Sequence, residues 1–193
     1  SNPSNASFYP TLPEGTNILT IRSIDGAVPP NNNTGNPTTV RVDTLPPVLQ
    51  GSINSHSHLW SSIQTANSSL ISYDQNPTSV DVSGVGDLYI AINTFSSGVS
   101  AQSVRTSSDA TVDCSSVNGT CGLNYEEWLE NGTYYVWALS VDQAGNQVLS
   151  RLNHPIRIDS QIPSDTQPTV LGLNAFGITN QTNVTLNWAS AHD

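Results

Sequence analysis

The stretch Asn131-Gly132-Thr133-Tyr134-Tyr135-Val136-Trp137-Ala138-Leu139-Ser140-Val141-Asp142-Gln143-Ala144-Gly145-Asn146 decides the fold class. Between an Asn-Gly turn and an Ala-Gly-Asn turn lies a run rich in β-branched and aromatic residues, which is a strand signal. The same signal recurs at Ile18–Ile24, Thr38–Val42, Asp87–Phe95, Pro155–Ile158 and Asn183–Trp188. Twelve Pro and 13 Gly punctuate the chain. Helical spacing is nearly absent: the longest helix-like stretch runs from Asn124 to Glu130, about two turns. These patterns predict an all-β chain folded as a sandwich.

Working outward, the decisive stretch has a counterpart upstream. Leu129-Glu130-Asn131-Gly132-Thr133 leads into a strand ending at Asp142, and Leu12-Pro13-Glu14-Gly15-Thr16 leads into one ending at Asp25. Gly15 and Gly132 are 117 residues apart. Val40-Arg41-Val42-Asp43-Thr44 precedes Pro46-Pro47, and Ile156-Arg157-Ile158-Asp159-Ser160 precedes Pro163. Asp43 and Asp159 are 116 residues apart. Two landmarks with nearly one offset predict an internal repeat the length of a β-sandwich domain. Residues 1–45 then read as the closing strands of a preceding unit, 46–160 as a complete unit, and 161–193 as a linker and the first strands of a following unit. Thr44–Pro47 and Ser160–Pro168 would be short linkers stiffened by proline. The end pieces need completion, either by further chain or by successive subunits adding strands head to tail; the first is the expected case.

Asn131-Gly132-Thr133-Tyr134, then Asp142-Gln143-Ala144-Gly145-Asn146, then Ile158-Asp159-Ser160 and Pro163, resembles the last two strands of the bacterial immunoglobulin-like repeats of large extracellular surface proteins. Ser97-Gly98-Val99 resembles a turn of the same repeats. Asn183-Val184-Thr185-Leu186-Asn187-Trp188 resembles a strand of an immunoglobulin or fibronectin type III-like repeat. The resemblance implies immunoglobulin-like β-sandwich domains in tandem. It also implies that strand 133–142 turns Tyr134, Val136, Ala138, Ser140 and Asp142 inward. The opposite row, Tyr135, Trp137, Leu139 and Val141, is then outward and wholly apolar. That row calls for a cover, from the Cys114–Cys121 hairpin or the 50–78 segment, or for an assembly contact. Some repeats of this type bind calcium near a domain junction, and Asp43, Asp142 and Asn146 are the candidate ligands here.

Composition narrows the function classes. Charged residues are 10% of the chain, there is no Lys, and the net charge is −10. No nucleic acid partner is expected, because such partners need clustered Lys or Arg. No membrane insertion is expected either, since no run approaches 18 apolar residues. Ser, Thr and Asn make up 66 of 193 residues.

Catalytic signals are weak, and no enzyme is predicted. His56 and His58 could share a face of a strand and hold a metal, but no third ligand has suitable spacing. Asp74 with Asp81, or Glu126 with Glu127, are the available carboxylate pairs, and nothing in the sequence positions them. Cys114 and Cys121 flank Asn118-Gly119 in a Ser-rich stretch. They are predicted to form a disulfide that staples a protruding loop, and with it to indicate an oxidising, extracellular location. Asn5, Asn32, Asn67, Asn118, Asn131, Asn180 and Asn183 fit the N-glycosylation rule. Chance alone gives about five such sites at this composition. The stronger argument for covalent glycans is a surface with few charges to keep it hydrated. Asn67, Asn118 and Asn131 are each predicted to lie in a turn or loop.

The expected role is a structural segment of a secreted, glycosylated, tandem surface protein: a fibre, stalk or surface layer at the cell surface. Its partners would be other copies of itself or neighbouring immunoglobulin-like domains. An adhesin or carbohydrate-binding module, with its tip in Ser52–Ser72 or the disulfide loop, is the first alternative. An accessory domain of a secreted hydrolase is the second.

Overall fold

A computed structural model describes residues 7–75, 83–115, 120–163, 169–171, 173, 177, 180, 182–183 and 185–187. The chain is all-β, 51% strand with almost no helix. The strands in chain order are β1 (Gly15–Leu19), β2 (Arg22–Ile24), β3 (Asn32–Thr34), β4 (Thr38–Val42), β5 (Val48–Ile53), β6 (Trp60–Ser61), β7 (Thr65–Tyr73) and β8 (Val85–Asn93). After a short helix α1 (Ala101–Thr106) come β9 (Ala110–Asp113), β10 (Thr120–Trp128), β11 (Gly132–Asp142), β12 (Gln147–Arg151), β13 (Ile156–Ile158), β14 (Thr169–Leu171) and β15 (Thr185–Asn187).

The central body has two sheets. One is three-stranded, ordered β10-β7-β5; the other is six-stranded, ordered β6-β13-β11-β8-β9, with β12 also paired to β11. Period-two alternation sends one row from each sheet into a shared core. Ala66, Ser68, Leu70 and Ser72 enter from β7, Leu88 and Ile90 from β8, and Val136, Ala138 and Ser140 from β11; all are buried. Two of these three buried serines, Ser72 and Ser140, meet across the core, while the Ser68 hydroxyl is buried without a hydrogen-bond partner. The Ser72 hydroxyl lies 2.6 Å from that of Ser140 and donates to the Val48 carbonyl, so neither is stranded. Gly51 leaves room where β5 crosses this core: a Cβ there would come within 2.6 Å of Leu70 and Leu152 methyl carbons, so those side chains would have to shift.

Three corrections to the sequence reading arise here. Asn124–Glu130 is not helical: Asn124 to Trp128 belong to β10, where tertiary pairing with β7 overrides local spacing. The helix of the described residues is α1, which Ser100 and Ser103 open with a reciprocal capping box. The outward row of β11 is covered by α1, not by the disulfide hairpin or the 50–78 segment. Val104 of α1 packs with Ala91, Leu139 and Val141 in a second apolar cluster, edged by Tyr89, Val99 and Trp137. Within this chain Leu139 is fully buried and Val141 nearly so. Tyr135 and Trp137 are half-buried. The Arg151 guanidinium lies 5.5 Å from the Tyr135 ring centre, and the Trp137 indole N–H donates to the Phe95 carbonyl at 3.0 Å.

The third correction concerns the disulfide. Cys114 and Cys121 are bridged, as expected. Both are buried within the main core cluster, at 0% and 4% exposure, rather than out on a loop. Cys114 directly follows β9 of the six-stranded sheet, and Cys121 lies in β10 of the three-stranded sheet. The bridge therefore ties the two layers where the chain crosses between them. Asn118-Gly119 lies outside the described residues.

Outside this body, β1 pairs with β4, β2 with β3, and β14 with β15 as separate two-stranded ribbons. The first ribbons leave Ile18, Ile21 and Ile24 largely exposed.

Candidate functional site

The chain passes from β4 into β5 through Asp43–Pro47, and three carboxylates gather there. Asp43 follows β4, Asp74 follows β7 and Asp142 ends β11. One carboxylate oxygen from each lies within 4.8 Å of the others. A register shift between Val141 and Asp142, opposite Gly86, re-aims the end of β11. Asp142 is 4% exposed, and Asn146 holds both of its oxygens: the backbone N–H donates to Oδ1 at 2.8 Å and the side-chain amide to Oδ2 at 2.9 Å. The same amide nitrogen donates to the Asp43 carbonyl at 3.0 Å. Asn146 thus presents a donor here, which no cation can use as a ligand, and it links the Asp142 carboxylate to the Asp43 main chain.

Asp43 Oδ1 accepts from the Leu45 N–H at 3.2 Å and Oδ2 from the Ser83 N–H at 3.0 Å. Burial opposes its charge, but the Ser83 and Leu45 hydrogen bonds outweigh that and hold the carboxyl below its ordinary range. Asp74 behaves oppositely. Its Oδ2 accepts from the Gly84 N–H at 2.6 Å, while Oδ1 is buried without a hydrogen-bond partner. Burial, with the charges of Asp43 and Asp142, pushes this carboxyl up. A carboxylate with one buried oxygen unpartnered, grouped with two further carboxylates, is an arrangement that a hard cation would satisfy. The sequence reading paired Asp43 with Asp142 but treated Asp74 only as an acid–base candidate with Asp81, which lies outside the described residues. No sequence spacing links Asp74 to the other two, because only the β5–β7–β8 connections bring it there.

The strand pair leading into this junction has a structural double. In β1–β4, Gly15 faces Val42, Thr16 faces Arg41 and Asn17 faces Val40. In β11–β13, Gly132 faces Ile158, Thr133 faces Arg157 and Tyr134 faces Ile156. The register is the same at an offset of 116 or 117 residues. Gly15 and Gly132 both take positive φ, 96° and 156°, which favours glycine. The clamp beyond them repeats too. Thr44 donates its N–H (3.0 Å) and hydroxyl (2.7 Å) to the Glu14 carboxylate, and Ser160 donates its N–H (2.9 Å) and hydroxyl (2.7 Å) to Asn131 Oδ1. Asp43 Oδ1 accepts from Leu45 as Asp159 Oδ1 accepts from Gln161 (3.1 Å).

The other candidates are dispersed. His56 is buried, its Nδ1 2.7 Å from the Ser55 hydroxyl and its Nε2 2.8 Å from the Ile63 carbonyl, so both ring nitrogens are engaged. His58 is exposed. Glu126 and Glu127 point to opposite faces of β10, and Glu127 accepts the Tyr125 hydroxyl, whose pKa rises through burial and that neighbour. Asn67 lies within β7, half-buried and paired with Glu126, not in a turn. Asn131 is exposed, and its Oδ1 is committed to Ser160. Asn32, Asn180 and Asn183 are exposed; Asn5 and Asn118 lie outside the described residues. Among the described residues, no helix is long and apolar enough to cross a membrane. Neither a protein-family model nor a curated protein matches the chain in sequence.

Proposed function

We propose that this chain is a non-catalytic structural segment of a secreted, glycosylated surface protein built from immunoglobulin-like sandwiches in tandem. The observation that carries this reading is the repeated closing pair: one strand register, one glycine and one side-chain clamp, found before and at the end of the central body. The central strand order supports it. Strands β5-β7-β10 face β9-β8-β11, with β12 and β13 both paired to β11, a two-sheet order compatible with such sandwiches. The Asp43–Asn146 bond and the Ser83 bond to Asp43 join the preceding pair to the body, so successive units would form a stiff series, not beads on a string. Imaging of native material is expected to show filaments, stalks or a lattice. Peptide mass spectrometry of the same material should find sugar on Asn131, which is exposed, and none on Asn67, which is half-buried within β7. Dispersed particles with every sequon bare would overturn the reading.

In this reading a calcium ion would be held by Asp43, Asp74 and Asp142, locking one unit to the next. Asp74 binds its proton more tightly folded than unfolded. Its contribution to stability therefore grows as pH falls through its raised pKa, whereas that of Asp43 is lost as pH falls through its lowered one. Calcium should relieve the penalty on Asp74 at neutral pH. Millimolar calcium is expected to raise the thermal midpoint by several degrees at pH 7 and by little at about pH 3, where carboxylates are protonated. Asp74→Asn should be more stable than the parent in chelator and insensitive to calcium. An equal midpoint for the parent with calcium and with chelator would remove the ion from the proposal.

A further inference from the structure

Loop 94–99 carries a feature that a purely mechanical unit does not need. Phe95 is 66% exposed, yet its backbone is fixed. Its N–H donates to Asn93 Oδ1 at 2.9 Å, its carbonyl accepts the Trp137 indole at 3.0 Å, and the next carbonyl, Ser96, accepts from Arg151 at 2.8 Å. Holding a large apolar ring in water on a rigid mount leaves its binding area preorganised. Phe95 lines a pocket of about 510 Å³ together with Ile92, Asn93, Ser97, Val99 and Asp109. That volume falls within the range of small-molecule sites and admits one or two sugar rings.

The polar groups around the ring are of complementary kinds. Asn93 spends its Oδ1 on Phe95 and keeps an amide donor. Asp109 spends its Oδ2 on the Ile92 N–H and keeps an acceptor oxygen. A hydroxyl both donates and accepts, so neighbouring hydroxyls on one ring satisfy an acceptor and a donor together. No Arg or Lys lines the pocket, and Asp109 does, so the lining offers no cationic side chain to pair with an anion.

We infer that the pocket between loop 94–99 and α1 binds a neutral sugar ring, stacked on Phe95 and hydrogen-bonded by Asn93 and Asp109. This site is distinct from the segments Ser52–Ser72 and the disulfide loop, and it does not depend on the tandem reading. A unit that is both rod and weak lectin could hold a glycan of a neighbouring molecule.

The test titrates the full chain with methyl α-glucopyranoside, methyl β-galactopyranoside and N-acetylglucosamine. Backbone and side-chain amide shifts of residues 92–99 and Trp137 fluorescence are followed. At least one sugar should give saturable changes at millimolar concentration. Phe95→Ala and Asn93→Asp should each weaken that binding by roughly tenfold or more. The thermal midpoint of Phe95→Ala should stay unchanged, because the ring is exposed, and Asn93→Asp keeps an oxygen to accept from Phe95. Choline serves as a cationic probe. The proposal is overturned by the absence of saturable change with any sugar, by binding that persists in Phe95→Ala, or by binding of choline alone.

Discussion

Leu139→Ala is expected to cost the isolated chain about 2–5 kcal/mol in urea unfolding, the range for emptying a fully buried leucine site. Leu139 is fully buried, but it lies on the face of β11 turned away from the inter-sheet core. Its cover is α1, chiefly Val104, which is 1% exposed. Val104→Ala should therefore cost roughly 1–3 kcal/mol although it sits in a six-residue helix at the periphery. The two side chains share one cluster, so the double variant should lose less than the sum of the single losses. An alternative gives the opposite pattern. Were this face an assembly contact with α1 loosely laid over it, both variants would leave the isolated chain's stability within about 0.5 kcal/mol of the parent and weaken association instead.

The α1 cover explains where the sequence was legible and where it was not. The strands that alternate cleanly or run apolar, such as β4, β8, β11 and β13, could be read directly because their side-chain period is dictated by burial on a sheet. β10 was misread. Leu123 and Tyr125 face inward and alternate with Asn124 and Glu126, but Glu127 on the inner row and Trp128 on the outer one cut the alternation short. Helix α1 was missed for a related reason. Six residues make under two turns, Val104 is its one buried residue, and Ser103 stands where a capping box more often shows Glu or Gln.

The acidic junction was half legible. The internal repeat pointed to Asp43, and Asp142 lay in the motif that carries the resemblance. Asp74 follows a long strand with no motif of its own, and its role is set by β7 lying between β5 and β10. Only that neighbour relation brings its carboxylate to the other two. Residues that act through a sheet's strand order carry no signal in chain spacing. The pocket at Phe95 has the same character, since its parts come from β8, the loop after it and the residue before β9.

Replacing both cysteines by alanine is expected to destabilise the central body by about 2.5 kcal/mol or more. That is the chain-entropy contribution of a loop closed by residues seven apart, and removing two buried sulfurs adds to it. For a unit of this size the shift corresponds to a fall of roughly 10–20 °C in thermal midpoint. The location of the bridge decides what else should change. A staple on a protruding loop would affect the amides of that loop alone, since the sheets would remain as well packed without it. Here Cys114 and Cys121 sit in the main core beside strands of opposite layers, and the crossing between β9 and β10 is the point where the layers could part. β9 is an edge strand of four residues paired only with β8, and β10 is an edge strand paired only with β7. Without the bridge, each edge is held by one neighbour and by side-chain packing. Hydrogen exchange in the double alanine variant should therefore show β9 and β10 losing protection together, ahead of β8 and β11, which are paired on both sides. Loss of protection confined to residues 115–120, with a midpoint within a few degrees of the parent, would mean that the two layers hold without the bridge.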